Sequence, residues 1–282
     1  MLDQRQRAFL YDRARVPEQL PDYVTAVSGA EPFLFEQYLF FRRGGHLLFI
    51  GYPLDEAAPA MPQAFENAVR QYQPRTAALI APGIWLPPNR TAEVIHDFYF
   101  ELTLPLAKPR AELAYMVRRA GREVVVNIGS FGREHEEVIG SFLSARPLDQ
   151  GYKTIYEAIP RYLEKSSTAR LLEARRLGRL AAFNILDLGS FRYGFYMFNF
   201  RSREVNVPGA SDLLFQEMAR LAHQEGKQAL NLGLGINPGV KRFKEKWGAR
   251  AFLPYASTMF RPGPRGLKDL IRNVVLSALK QP

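Results

Sequence analysis

The sequence predicts a mixed α/β protein, of the α+β mixed-sheet kind, built as two similar lobes packed together. Three observations lead there. The 282 residues are about two domains' worth of chain, and 47% hydrophobic with 23% charged is ordinary globular composition, which excludes a disordered or fibrous protein. The second half orders its elements as strand, two helices, three strands, helix, strand, helix, strand, an antiparallel meander followed by a parallel crossover. The first half carries a shorter version of the same order.

In chain order, Phe33–Phe41 and His46–Tyr52 are apolar runs joined through Arg42-Arg-Gly-Gly45, a hairpin signal. Met61–Tyr72 is expected to be helical, with Thr76–Ile80 and Phe98–Leu104 as strands. The second half opens on Glu123–Ile128, a short β-branched run, followed by helices over Glu134–Ala145 and Lys153–Glu164. Ala169–Ala174, Leu180–Leu188 and Phe191–Phe200 are apolar stretches broken at Arg176-Leu-Gly178 and Gly189-Ser190, which predicts the meander. Pro208-Gly-Ala-Ser211 then punctuates the chain. Ser211 is the expected N-cap of a helix with Leu214, Met218 and Leu221 at i, i+4, i+7 and Gly226 as its stop.

Ala229–Leu232 is a strand leading into Gly233-Leu-Gly235. A short helix opens at Pro238, carries Val240, Phe243 and Trp247 on one face and stops at Gly248. Ala251–Phe260 is a closing strand and Leu267–Leu279 a last helix. The lobes divide into residues 1–105 and 106–282, with Pro105 to Pro109 at the junction. The repeat is one of element order and not of residue identity, so a single continuous sheet with an N-terminal extension is the alternative. In either case the parallel strands must splay where the central helix begins.

The 38 Lys+Arg against 28 Asp+Glu leave a formal charge of +10, an excess that favours anionic partners such as nucleic acid, nucleotide phosphates or acidic lipid head groups. Zero cysteines exclude a thiol nucleophile, a disulfide framework and thiolate-held metals. His46, His96, His135 and His223 stand far apart, and none has the spacing that places two ring nitrogens on one helical face, so no metal site is expected. No apolar run is long enough for a secretory signal or a membrane span, and the expected location is cytoplasmic.

Candidate site residues cluster late in the chain. Gly209, Ala210 and Ser211 offer a helix N-terminus with small side chains, where unpaired N–H groups take a phosphate or an acyl carbonyl; ordinary capping explains the same residues. Lys241, Arg242, Lys244 and Lys246 crowd one short helix with only Glu245 as local compensation, which implies an anionic ligand or a well-solvated face. Asn199 and Asn231, the latter followed by Gly233, sit late in strands flanking the splay and need partners, either a substrate amide or a turn. Tyr193, Tyr196 and Tyr255 are candidate proton donors to a leaving group, or ring packing. Gly233-Leu-Gly235 lacks the third glycine of a dinucleotide fingerprint, Glu134-His-Glu-Glu137 reads as an acidic first turn, and no G-x-S-x-G elbow occurs.

The segment from Pro208 to Gly226, continuing through Leu230-Asn-Leu-Gly233 and Gly239-Val-Lys-Arg-Phe-Lys-Glu-Lys-Trp-Gly248, resembles the C-terminal lobe of tandem GNAT-fold acyltransferases. It is similar above all to the Fem-type aminoacyltransferases and to the soluble domain of bacterial phosphatidylglycerol lysyltransferases. The resemblance implies two GNAT-like lobes, the transferable group bound in the second, the acceptor near the groove between them, and acyl or aminoacyl transfer to an amine or hydroxyl. It also implies that Lys244, the lysine of Phe-Lys, lies near the reacting carbonyl and stabilises the oxyanion. The chain lacks the long helical arm of some Fem-type enzymes and the Arg/Gln-x-x-Gly-x-Gly/Ala phosphate loop of acetyl-CoA enzymes, which counts against peptidoglycan-precursor chemistry and against an ordinary acetyl-CoA site.

The expected catalytic residues are thus Lys244 and Tyr255, with Asn199, Gly209, Ala210, Ser211, Asn231, Gly233, Lys241, Arg242 and Lys246 around the donor. The donor is an aminoacyl-tRNA or an acyl thioester, with tRNA or CoA as carrier and no further cofactor. The acceptor is an amine or hydroxyl of a small molecule, peptide or lipid. For a tRNA carrier, Arg175, Arg176, Arg179, Arg201, Arg203, Arg261, Arg265 and Lys268 form a wider basic set able to track its backbone. Without cysteine the acyl group passes directly, or through an oxygen or nitrogen nucleophile. The rival expectation is a non-catalytic GNAT pair that binds nucleic acid or another anion in a basic groove; a third is docking on an anionic membrane surface.

Overall fold

A computed structural model describes residues 2–84, 93–145, 147 and 150–262. The expected helix Leu267–Leu279, with Arg265 and Lys268, lies outside the described residues. The chain forms two compact units that no single cut separates. The first comprises the described residues of Met1–Tyr99, Leu234–Ile236 and Ala251–Pro282, the second those of Phe100–Gly233 and Asn237–Arg250.

The first unit begins with two helices that the sequence reading did not contain, α1 (Gln4–Arg13) and α2 (Pro21–Ser28), linked by a 3-10 turn at Pro17–Gln19. Asp3 caps α1 by accepting from the Gln6 N–H, and Gly29 ends α2 in the left-handed region. The single strand expected over Phe33–Phe41 is two, β1 (Glu31–Phe35) and β2 (Tyr38–Arg43). Glu36 and Gln37 between them both take positive φ, a tight hairpin turn made without the glycine or asparagine that normally announces it. β3 (His46–Ile50) pairs antiparallel with β2, α3 (Met61–Tyr72) crosses over, and β4 (Thr76–Ala81) returns parallel to β3. β5 (Ile95–Thr103) carries the chain from the first unit into the second.

In the second unit α4 (Ala111–Ala120), also absent from the sequence reading, buries Leu113, Val117 and Ala120. β6 (Val125–Gly129) and α5 (Arg133–Ser144) follow. The expected helix Lys153–Glu164 is divided into α6 (Gln150–Glu157) and α7 (Ile159–Lys165), with Pro160 in the first turn of α7, where its missing N–H costs nothing. The meander is present as β7 (Ala169–Arg176), β8 (Arg179–Asp187) and β9 (Tyr193–Arg201), each antiparallel to the next, and Leu177-Gly178 forms the first turn with both φ positive. α8 (Ala210–Gln224) crosses over to β10 (Ala229–Leu234), which is parallel to β9. α9 (Pro238–Lys246) leads to β11 (Arg250–Phe260), which returns to the first unit and pairs antiparallel with β4.

Each unit therefore holds an antiparallel three-strand meander followed by a parallel strand–helix–strand crossover: β1–β2–β3–α3–β4 in the first and β7–β8–β9–α8–β10 in the second. The repeated element order is real, and it is the fold class expected. The second unit's core lies on the α4/α8 side of its sheet, where Leu172, Ala182 and Leu186 meet Leu214, Phe215 and Met218.

Candidate active site

β9 and β10 pair over three rungs only, Tyr193 with Ala229, Gly194 with Leu230 and Phe195 with Asn231. β9 continues to Arg201 and β10 to Leu234 beyond that point, so the two strands splay as a parallel pair with a following central helix must. Gly209, in the left-handed region at φ 84°, is the N-cap of α8 and follows the end of β9 at Arg201.

The expected N-cap, Ser211, instead lies inside α8, because Gly209 supplies the positive φ that the tight entry requires. A Cβ at Gly209 would also stand 2.6 Å from the Met116 carbonyl oxygen of α4, so the absence of a side chain serves helix packing. Asp212, in the first turn of α8, is well placed for the helix dipole. It takes the Lys246 ammonium at 2.5 Å and the Trp247 indole N–H at 3.3 Å. The carboxylate thus ties α9 to α8 and neutralises part of a cation cluster that looked locally uncompensated. Lys241 stands 3.9 Å from Glu245, and Arg242 is exposed without an ion pair among the described residues.

Lys244 differs most from expectation. It shares the buried side of α9 with Phe243 and Trp247, is 2% exposed, and its Nζ lies 5.5 Å from the ring centroid of Phe100. Burying an ammonium is costly, so a lysine at this depth needs partners that offset its desolvation. The neighbouring rings of α9 form a cluster with α8 and β9: Phe243 meets Phe215 edge-on at 5.4 Å and stacks on Tyr196 at 6.4 Å, and Trp247 tilts against Phe215 at 4.9 Å. Burial, and next the Asp212 charge, hold the Tyr196 hydroxyl far above the usual phenol range, so it keeps its proton.

The other tyrosines are engaged elsewhere. Tyr193 donates to Glu101 at 2.9 Å, and Tyr255 belongs to the first unit, edge-on to Tyr99 at 5.6 Å. Asn231 is fully buried and its Oδ1 accepts from the Gly233 N–H at 2.8 Å, a local turn bond; Gly233 is required by its own φ of 72°. Of the wider basic set, Arg175 binds Glu173 and Glu134, Arg176 binds Glu123 and Arg179 binds Glu204, while Arg201 and Arg203 are exposed.

Two features of the second unit were missed. His135 is 2% exposed; its Nδ1 accepts from the Gly132 N–H and its Nε2 lies 3.0 Å from Glu173 Oε1. Burial holds the imidazole below its ordinary value, with Glu173 opposing and Arg175 adding to the fall. Burial opposes charge on Glu173, and the Arg175 hydrogen bonds and charge override it, keeping that carboxyl low. The second feature is Asn184 of β8, 0% exposed, opposite Asn199 of β9. Neither polar atom of Asn184 has a hydrogen-bond partner among the described residues, nor does Asn199 Oδ1, and an unmade buried bond costs about 1–3 kcal/mol. Asn184 was visible as a polar interruption of the apolar run Leu180–Leu188.

No known family profile and no curated protein matches this sequence. Solved structures do match, across almost the whole chain. L-PGS from Bacillus licheniformis superposes with a TM-score of 0.61 at 16% identity, covering 98% of this chain and 96% of that one. The C-terminal domain of an Agrobacterium fabrum protein named as a lysylphosphatidylglycerol synthetase gives 0.61 at 15%, covering 96% and 95%. FemX gives 0.60 at 10%, covering 100% and 99%. The chain has the tandem GNAT-like fold of these proteins, as the Pro208–Gly248 segment implied. Among the described residues no helix is long and apolar enough to cross a membrane.

Proposed function

We propose that this protein is an acyl- or aminoacyltransferase that moves an activated acyl group from an aminoacyl-tRNA or acyl thioester to an amine or hydroxyl by direct attack. The observation that carries the reading is Lys244, a buried lysine on α9, the helix whose Phe243 packs on Tyr196 of β9. The names of the fold's other owners, lysylphosphatidylglycerol synthetase and FemX, support it. The acceptor nitrogen or oxygen adds to the donor carbonyl, and the developing oxyanion is stabilised by the Lys244 ammonium without proton transfer. Collapse breaks the bond to the carrier, whose oxygen or sulfur takes up the proton the acceptor has lost. Tyr196, which keeps its proton beside Phe215 and Phe243, would hydrogen-bond the leaving group, the role that the sequence reading gives to Tyr255. Lys241 and Arg242, on the exposed side of α9, would contact carrier phosphates, with Gly209 and Ser211 at the head of α8 beside the donor's path; Ala210, expected there, is instead fully buried in the core.

The test is transfer from aminoacyl-tRNA and acyl-CoA donors to amine and lipid acceptors, followed by mass spectrometry, in wild type and Lys244→Met. Turnover in the variant equal to wild type with a verified donor rejects the catalytic assignment. Arg242, exposed and without an ion pair among the described residues, favours one second reading, a non-catalytic anion-binding protein. It predicts nucleic-acid affinity that falls steeply with salt and no transfer from any donor.

A further inference from the structure

Asn184 and Asn199 face each other across β8 and β9. Side chains alternate along a strand, so Asn184 shares its face with Ala182 and Leu186, both packed in the α8-side core. The register shift between Ile185 and Leu186 keeps Tyr196 opposite Leu186 and Asn199 opposite Asn184, all four on that face. Asn199 is half-buried and lies on β9 past Phe195, the last residue to pair with β10, so it stands at the splay while Asn184 lies one strand deeper.

Three orphaned atoms meet in this pair: Asn184 Nδ2, a donor, with Asn184 Oδ1 and Asn199 Oδ1, two acceptors. Buried amides are almost always satisfied, and a leucine of similar volume would serve this apolar face better. A partner that satisfies two of these three atoms, the donor and one acceptor, must present one acceptor and one donor within a single small group. A peptide-type amide does so with its C=O and N–H.

We infer that Asn184 and Asn199 form an amide-reading subsite at the splay, taking a peptide-type amide of the donor or acceptor. This rests on the acyl-transfer reading and adds to it a substrate class, molecules that carry such an amide near the transferred group. The ligand C=O accepts from Asn184 Nδ2, and its N–H, trans to that C=O, donates to Asn199 Oδ1.

The test follows the side-chain amide signals of the full-length, nitrogen-15-labelled protein by NMR during titration with N-acetylglycinamide and with methyl acetoxyacetate, its ester counterpart lacking N–H groups. The diamide is expected to shift the Asn184 and Asn199 signals saturably, and the ester to bind at least about tenfold more weakly. Asn184→Leu should abolish binding while raising Tm, and Asn199→Leu provides the same readout if the first variant does not fold. Unchanged diamide binding in the leucine variants overturns the subsite, as does a water held by both amides that the diamide fails to displace. Lys244→Met should leave diamide binding intact. If no donor is ever transferred yet binding still depends on Asn184, the transferase reading fails and the subsite stands; transfer without diamide binding rejects the subsite alone.

Discussion

Lys244 sets the residue scale. Replacing it with methionine keeps its length and its packing against Phe100 and removes only the charge. If the ammonium stabilises the oxyanion, kcat should fall by about 10²–10³ with KM little changed, while circular dichroism and Tm show an intact fold. A proportional rise in KM with kcat preserved would instead mark Lys244 as a binding residue. His135 gives a second prediction. Its imidazole is held below the ordinary 6.5, so between those values the unfolded chain binds more protons than the folded one. The stability it contributes is complete above 6.5 and is lost as pH falls through the lowered value; Glu173, also held low, adds a loss in the same direction further into acid. His135→Phe, which suits the neighbouring Phe131 and Phe183 rings, should lose less Tm than wild type between about pH 7 and pH 5. Identical losses would mean that other groups carry the acid sensitivity.

At the scale of elements, Asp212 couples the first turn of α8 to the end of α9, and its carboxylate is largely buried. Asp212→Ala strands the Lys246 ammonium and the Trp247 indole together and should cost about 1–3 kcal/mol in denaturant titration. Asp212→Asn keeps an acceptor for the indole and should cost less; equal losses would assign the whole effect to the ion pair. The same helix shows how legible the site was. Val240, Phe243, Lys244 and Trp247 stand at i, i+3, i+4, i+7, so the apolar periodicity already placed Lys244 on the packed side, and only its charge suggested solvent. Asp212 was not legible as the counter-ion of Lys246, because the two residues are far apart in sequence and meet through the crossover. α4 had readable periodicity in Leu113, Val117 and Ala120, whereas α1 is polar nearly all round and draws its stability from its cap and neighbours. The β1–β2 turn was hidden because Glu36 and Gln37 adopt a conformation that glycine usually takes.

At the scale of the whole molecule, each meander-and-crossover is completed by a strand that follows the other one. β5 comes after the first crossover, yet its Phe100 and Leu102, with Leu104 just beyond, are core residues of the second unit, and the Leu104 N–H donates to the Gln228 carbonyl. β11 comes after the second crossover, yet Ala256–Phe260 pair with β4, and Phe260 packs on Phe65 of α3. A sequence reading that assigns strands to the nearest lobe divides the chain at 105 and leaves each part without a strand. The consequence can be measured on fragments in which Trp247 is the sole tryptophan. Residues 106–282 lack Phe100, Leu102 and Leu104 and retain β11 without β4; residues 100–250 keep every core residue of the second unit. Large apolar truncations cost about 2–5 kcal/mol each, and three together are as large as the whole margin of a typical domain, about 5–15 kcal/mol. Residues 100–250 should therefore unfold cooperatively in urea by Trp247 fluorescence and 106–282 should show no cooperative transition. Equal midpoints for the two would mean that β5 contributes little to the second unit and that the chain does divide at 105.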